Sequence, residues 1–232
     1  METVLITGAN RGLGLEFCRQ YAEAGWKVLA CCRDPGAAEA LRELAGRHPG
    51  AVEVFALDLG DFQAIDALAR RLDGTALDVL LCNAGIYGDA PGAGFGALDY
   101  DMWAKVLRIN TQAPMKLAEA FLPHLGLGAR KLVVAITSLM GSIADNGSGG
   151  SILYRSSKAA LNAAMKSLAI DLKGRGVGVL LLHPGWVKTD MGGPNAPTLP
   201  EASVSGMRQV IAAFRPEDSG RFLDFQGREL PW

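Results

Sequence analysis

Apolar positions in this chain come in short unbroken runs. Each run is followed by a stretch in which apolar residues recur every three or four positions. The runs at 4–7, 28–32, 52–57, 79–82, 132–137 and 177–182 read as strands. They do not alternate with polar residues, which marks strands buried on both faces. Helical spacing covers 12–24, with Leu13, Phe17 and Tyr21 on one stripe, and then 37–45 and 62–72. A glycine-rich loop at 88–96 precedes a long helix over 101–122, in which Pro114 predicts a bend. A Gly/Ser-rich loop at 141–151 precedes a helix over 152–172. After an irregular stretch at 184–200 come a short helix at 202–213 and a last short strand at 221–225. Strands that alternate with helices predict a doubly wound α/β fold with a parallel sheet. No linker, repeat or charge block divides the chain, so residues 1–232 read as one domain.

Composition narrows the function classes. The chain is 49% hydrophobic and 20% charged, which suits a globular domain with a sizeable core. A net charge of −1 with scattered basic residues argues against nucleic acid or an anionic membrane as partner. No apolar stretch approaches the ~18 residues of a membrane span, and the start of the chain lacks a signal-peptide pattern. Cys18, Cys31, Cys32 and Cys82 lack metal-ligand spacing, so no metal site is expected. Neighbours Cys31 and Cys32 should face opposite sides of a strand. All four read as reduced packing residues of a cytoplasmic protein.

Polar and glycine positions recur where the strands end. Gly8 follows the first strand, Arg33 the second, Asp58 the third, Asn83 the fourth, Ser138 the fifth and Pro184-Gly185 the sixth. Ligands of doubly wound folds bind beyond the carboxyl ends of the strands, so this convergence points to a site. Gly8, Gly12 and Gly14 lie between a strand and a helix, where bare backbone can approach a pyrophosphate at a helix N-terminus. Their G-x-x-x-G-x-G spacing departs from the common G-x-G-x-x-G form. An acidic residue at the end of the second strand would bind ribose hydroxyls, but here Cys32 is followed by Arg33. Arg33, with Arg11, suits a 2′-phosphate, so NADP(H) is favoured. Asp34 keeps NAD(H) open, although it is expected to cap the next helix. Tyr154 and Lys158 are four residues apart on a predicted helix and share a face. An ammonium beside a phenol would lower its pKa from about 10 and make it a usable general acid or base. Ser138 could donate to a carbonyl oxygen that gains charge.

Together these residues resemble the short-chain dehydrogenase/reductase family in its compact form. The match carries Thr7-Gly8-x-x-x-Gly12-x-Gly14, Asp58-Leu59, Asn83-Ala84-Gly85, Asn110, Ser138, Tyr154-x-x-x-Lys158 and Pro184-Gly185 with Thr189. The stretches 154–162 and 184–193 are similar to the C-factor and sniffer-like carbonyl reductase branch. The resemblance implies a single Rossmann-type domain. Its mostly parallel seven-stranded sheet would have order 3-2-1-4-5-6-7, flanked by helices on both faces. It also implies roles. Tyr154 would be the general acid/base, Ser138 would polarise the substrate oxygen, and Lys158 would bind the nicotinamide ribose and lower the Tyr154 pKa. Asn110 would hold a relay water. Asn10, Leu13 and the glycines would form the cofactor loop, and Asp58 and Leu59 would lie by the adenine. Asn83, Ala84 and Gly85 would line the ribose side. Pro184, Gly185, Val187 and Thr189 would hold the carboxamide.

The expected activity is NADP(H)-dependent hydride transfer with a small-molecule carbonyl or alcohol. A cofactor-binding signalling or regulatory protein acting through a partner is the alternative from a different class. A sugar-nucleotide epimerase would share the Tyr-Lys pair but needs a larger C-terminal part. The interval from Ser138 to Tyr154, 16 positions, is longer than in many compact relatives and adds length beside the expected substrate mouth. Met140, Ile143, Ile86, Tyr87, Trp186 and Met191 suggest an apolar pocket, left rather open by the short tail after the sixth strand. The helices at 101–122 and 152–172 could pair in a homodimer or homotetramer. Ala159, Ala160, Ala163 and Ala164 would allow that approach or would pack on the sheet.

Overall fold

A computed structural model describes residues 1–92 and 94–232. Seven strands form one sheet: β1 (Thr3–Thr7), β2 (Lys27–Cys32), β3 (Val52–Ala56), β4 (Val79–Cys82), β5 (Leu132–Ile136), β6 (Gly178–His183) and β7 (Phe222–Asp224). Their order is β3-β2-β1-β4-β5-β6-β7, as expected, and every pairing between them is parallel. The helices are α1 (Gly12–Glu23), α2 (Glu39–Arg47), α3 (Phe62–Arg71), α4 (Tyr100–Leu107), α5 (Ala113–Leu127), α6 (Ile152–Asp171) and α7 (Pro200–Ala212).

Alternation along the strands feeds two cores, one on each face of the sheet. Leu5, Leu29, Leu80 and Val133 pack with Ile65 of α3, Phe121 of α5 and Met165 of α6. Val4, Ile6, Val28 and Val134 pack with Phe17 of α1, Leu41 of α2 and Met207 of α7. Cys31 belongs to the first core and Cys32 to the second, as their adjacency in a strand requires. All four cysteines are free and buried. Among the described residues no helix is long and apolar enough to cross a membrane, and no cluster of metal-binding side chains exists.

Two expectations need correction. The helix expected at 101–122 is two helices joined by a π turn, Arg108–Gln112. Pro114 has no N–H to give the carbonyl of Asn110, so the α-helical ladder cannot continue there. The proline thus sits in the first turn of α5, which runs on to Leu127. Asp34 does not cap α2. Its Oδ1 accepts from Gly36 N at 2.9 Å and Ala37 N at 3.2 Å, closing the turn before the helix. On α6, Ala163 is exposed and Ala159, Ala160 and Ala164 are half-buried.

Candidate active site

The carboxyl ends of the first six strands open onto a cleft of about 470 Å³. Gly8, Asn10, Arg11, Gly12, Leu13 and Gly14 line it from the β1–α1 crossover, and Arg33 follows β2. Asp58 and Leu59 enter after β3, and Asn83, Ala84 and Gly85 after β4. Tyr154 and Lys158 enter from α6, and Pro184 and Thr189 after β6. Asn110 and Ser138 are buried outside this lining. Gly185 and Val187 share the loop of Pro184 and Thr189 but do not line the cleft. A cavity of about 530 Å³ between α7 and β7 contains none of the expected site residues, so chemistry and not volume selects the cleft.

The glycine turn is built for close backbone approach. Gly8 and Gly12 have φ of +67° and +53°, a region that disfavours side chains. A Cβ at Gly14 would lie 2.0 Å from the Gly8 carbonyl oxygen. Arg11 precedes α1 without capping it, so no N-cap side chain takes up the first-turn N–H groups. Asn83 ties the end of β4 to β1, its Nδ2 donating to Thr7 O at 2.9 Å. Thr7 Oγ1 accepts from Asn83 N and Ala84 N in return. These observations fit a dinucleotide: a bare cradle at a helix N-terminus, beside a buried ammonium.

The cations behave differently. Arg11 Nη1 donates to Asp190 Oδ2 at 2.7 Å, and both side chains are exposed. A pair in water is worth little, so a phosphate can displace Asp190. Arg33 is exposed, and its side chain has no hydrogen-bond or ion-pair partner among the described residues. Asp58 Oδ1 accepts from Gly60 N, which leaves Oδ2 available.

Helical spacing places Tyr154 and Lys158 one above the other, with Lys158 Nζ 5.7 Å from the Tyr154 ring centroid. Nζ donates to Ile136 O at 2.9 Å, using one of its three hydrogens. Gly85 lies beside both groups, and a Cβ there would crowd Asn110 Oδ1 at 3.3 Å while only touching Nζ at 3.6 Å. Asn110 is a brace. Its Oδ1 accepts from Ile86 N, and its Nδ2 donates to Ile86 O and Ser157 Oγ. Ser138 Oγ accepts from Met140 N at 3.1 Å and keeps its own hydrogen to donate.

The expectation that Lys158 lowers the Tyr154 pKa does not hold in this geometry. Burial pushes Tyr154 up to about 12, the Ser138 hydroxyl holds it down, and Tyr87 pushes it further up. Lys158 is itself pulled down to about 8 by burial. Desolvation is the largest cause for both groups, and neither is among the causes of the other's shift.

Of the apolar residues expected around the pocket, Ile86 and Met191 line the cleft, while Ile143 and Trp186 are exposed outside its lining and Tyr87 is at the edge of exposure. Asp190, the Arg11 partner, was not legible beforehand, since 179 positions separate the two. The hydroxyl of Tyr87 was missed too: it lies 2.6 Å from Ser151 Oγ, and its ring centroid is 5.0 Å from that of Tyr154.

A short chain dehydrogenase family model matches residues 2–199. C-signal of Myxococcus xanthus is 48% identical, over 72% of this chain and 99% of that protein. The carbonyl reductase Sniffer of D. melanogaster superposes with a TM-score of 0.94 at 36% identity, covering 100% of both chains. An NADPH-bound carbonyl reductase from chicken fatty liver gives 0.91 at 36% identity, covering 100% of this chain and 99% of that one. The matched segment contains the glycine cradle and the Tyr154, Lys158 and Ser138 constellation, and the chain belongs to the short-chain dehydrogenase family of oxidoreductases.

Proposed function

We propose that this chain, as one domain, is an NADP(H)-dependent oxidoreductase that interconverts a carbonyl and an alcohol, with Tyr154 as general acid/base. The observation that carries the reading is the meeting of Tyr154 and Lys158 with the glycine cradle in one cleft. Gly8, Gly12, Gly14 and the start of α1 would hold the pyrophosphate. Arg33 and Arg11 would hold the 2′-phosphate, and Asp58 and Leu59 the adenine side. Asn83, Ala84 and Gly85 would flank the ribose, and Lys158 would donate its remaining hydrogens to ribose hydroxyls. Pro184, Gly185, Val187 and Thr189 would fix the carboxamide. Bound nicotinamide supplies or accepts the hydride, which is chemistry that no side chain here provides.

The protein's own work is orientation and proton handling. Ser138 Oγ donates to the substrate oxygen and stabilises charge that grows there. Tyr154 Oη gives its proton to that oxygen in reduction and removes one in oxidation. Lys158 would hold the ribose hydroxyls and pass a returning proton toward Tyr154, and the Asn110 carbonyl, left without an α-helical donor by Pro114, would hold a relay water. Ile86 and Met191 in the cleft lining, with the Tyr87 ring beside Tyr154, favour apolar or aromatic carbonyl compounds.

The test is a titration with NADPH and NADH, followed by tryptophan fluorescence, together with turnover of nitrobenzaldehyde. NADPH is expected to bind more tightly, and Arg33→Ala to weaken it by about tenfold to a hundredfold. Tyr154→Phe is expected to keep NADPH binding and to lose turnover by about a thousandfold or more. A preference for NADH would overturn the roles of Arg11 and Arg33. The identity to C-signal favours a second reading, a cofactor-binding signalling protein acting through a partner. A Tyr154→Phe protein that keeps full biological activity would select that reading.

A further inference from the structure

The N-terminus of α6 carries Tyr154 in its first turn, yet nothing in its own sequence caps it. Ser151 precedes the helix with φ +46°, a left-handed conformation, and its side chain makes no capping bond. The first turn of α6 contains no acidic residue. Its free N–H groups are met from elsewhere in the chain. Asp89 Oδ1 accepts from Leu153 N at 3.1 Å, and Asp89 Oδ2 accepts from Tyr154 N at 2.9 Å. These are the two N–H positions that an N-cap side chain usually serves.

The residues around Asp89 are held as firmly. Ile86 is bonded through both its N–H and its carbonyl to Asn110. Tyr87 bonds Ser151 through its hydroxyl and lays its ring over that of Tyr154 at an interplanar angle of 32°. Gly88 has φ +80° and lies so close to the helices that a Cβ would sit 2.3 Å from Val106 Cγ2 and 3.6 Å from Leu153 Cδ2. The segment therefore leaves the cofactor side at Gly85 and reaches the start of α6 within four residues.

We infer that Asp89 is a positioning residue for the general acid: its carboxylate fixes the backbone of Tyr154 and so sets where the phenol meets the substrate oxygen. This inference rests on the reading of Tyr154 as acid/base. The two carboxylate bonds are charge-assisted and sit at the positive end of the helix dipole. They remove two orphan donors and fix the direction in which α6 leaves the loop. Tyr87 completes the clamp from the other side of Ser151.

Asp89→Ala, Asp89→Asn and Tyr154→Phe test the inference. Turnover of nitrobenzaldehyde, NADPH affinity and amide hydrogen exchange are measured at a temperature where each variant is fully folded. Asp89→Ala is expected to lower kcat about tenfold with NADPH affinity unchanged. It is also expected to lose exchange protection at Leu153 and Tyr154 while the rest of α6 stays protected. Asp89→Asn keeps an acceptor oxygen for one of the two N–H groups and is expected to recover most of kcat. A kcat for Asp89→Ala within about twofold of wild type, with only thermal stability lowered, would overturn the inference and leave a purely stabilising cap. Equal loss of NADPH affinity and kcat would overturn it in favour of a cofactor-loop role. If Asp89→Ala does not fold, Asp89→Asn and Asp89→Ser carry the test, expected in that order of falling kcat. An active Tyr154→Phe protein would instead sink the reading of Tyr154, whatever Asp89 does.

Discussion

At the Tyr154 hydroxyl, burial and hydrogen bonding pull in opposite directions, and burial wins. The sequence shows the i,i+4 partner of this tyrosine, because helical spacing is local. It does not show how deeply both groups lie, and depth decides the sign here. Ser138 is the one neighbour that acts to lower the Tyr154 pKa. Removing it should therefore raise that pKa further. In the oxidising direction Tyr154 must lose its proton, so the rate climbs as pH approaches its pKa. Ser138→Ala is expected to lower kcat by about a hundredfold to a thousandfold, as for loss of one oxyanion donor. With that pKa at about 12 in the wild type, the rate of alcohol oxidation is still climbing at pH 10 in both proteins. Steady-state rates over about pH 7 to 10 measure the loss of kcat. A Ser138→Ala protein within about threefold of wild type across that range would mean that the Ser138 hydroxyl does not act on Tyr154 or on the substrate oxygen.

Elements bring these residues together through close backbone approach. The turn Leu139–Gly141 after β5 lies directly on α6, and Ser138 caps it. A Cβ at Gly141 would fall 2.7 Å from the Lys158 carbonyl carbon and 2.8 Å from its Cβ. Both atoms belong to a rigid part of the helix, so the turn must yield. Gly141→Ala is expected to destabilise by about 1–3 kcal/mol and to lower kcat about tenfold by moving Ser138 away from Tyr154. Gly147, farther along the same loop, has nothing within 4 Å of an added Cβ. Gly147→Ala should stay within about 0.5 kcal/mol of wild type and keep full kcat. Thermal unfolding and kinetics on the two variants separate contact from loop stiffness. Helices were legible at this scale, but their joints were not. The hydrophobic stripe ran from Asp101 to Leu122 and Pro114 announced a bend in it, but not a π turn, which also depends on what Asn110 finds in Ile86 and Ser157.

Across the whole molecule, the parallel sheet and both cores were readable because unbroken runs such as 132–137 suit strands covered on both sides, whereas the strand order came from the family resemblance. Contacts between distant positions, such as Asp89 with Tyr154 or Arg11 with Asp190, leave no periodic trace and waited for the fold. The same burial gives the molecule a pH profile of stability. Burial pulls His183 down to about 4, with Asp224 and Asp145 opposing. Between about pH 4 and 6.5 the unfolded chain then binds more protons, so stability rises with pH and acid removes it. Burial pushes the thiols of Cys18, Cys31 and Cys82 up from 9.0, Cys82 to about 12. Above pH 9 the folded state keeps protons that the unfolded chain releases, so each thiol costs about 1.4 kcal/mol per pH unit. Lys158 acts the other way. Its ammonium is penalised by burial, and that penalty lifts as pH rises from about 8 to 10.5. Three thiols outweigh one lysine, so stability should fall above pH 9 despite Lys158. Lys158→Met isolates the lysine, because the thiols are common to both proteins. At pH 7 the variant is expected to be more stable by about 1–2 kcal/mol while losing turnover, as expected where a buried charge serves function. Its advantage should shrink between pH 8 and 10.5, and its alkaline decline should be steeper than that of wild type. Urea unfolding across that range measures the difference. An advantage independent of pH would show that Lys158 keeps its ordinary pKa and that the gain comes from packing alone.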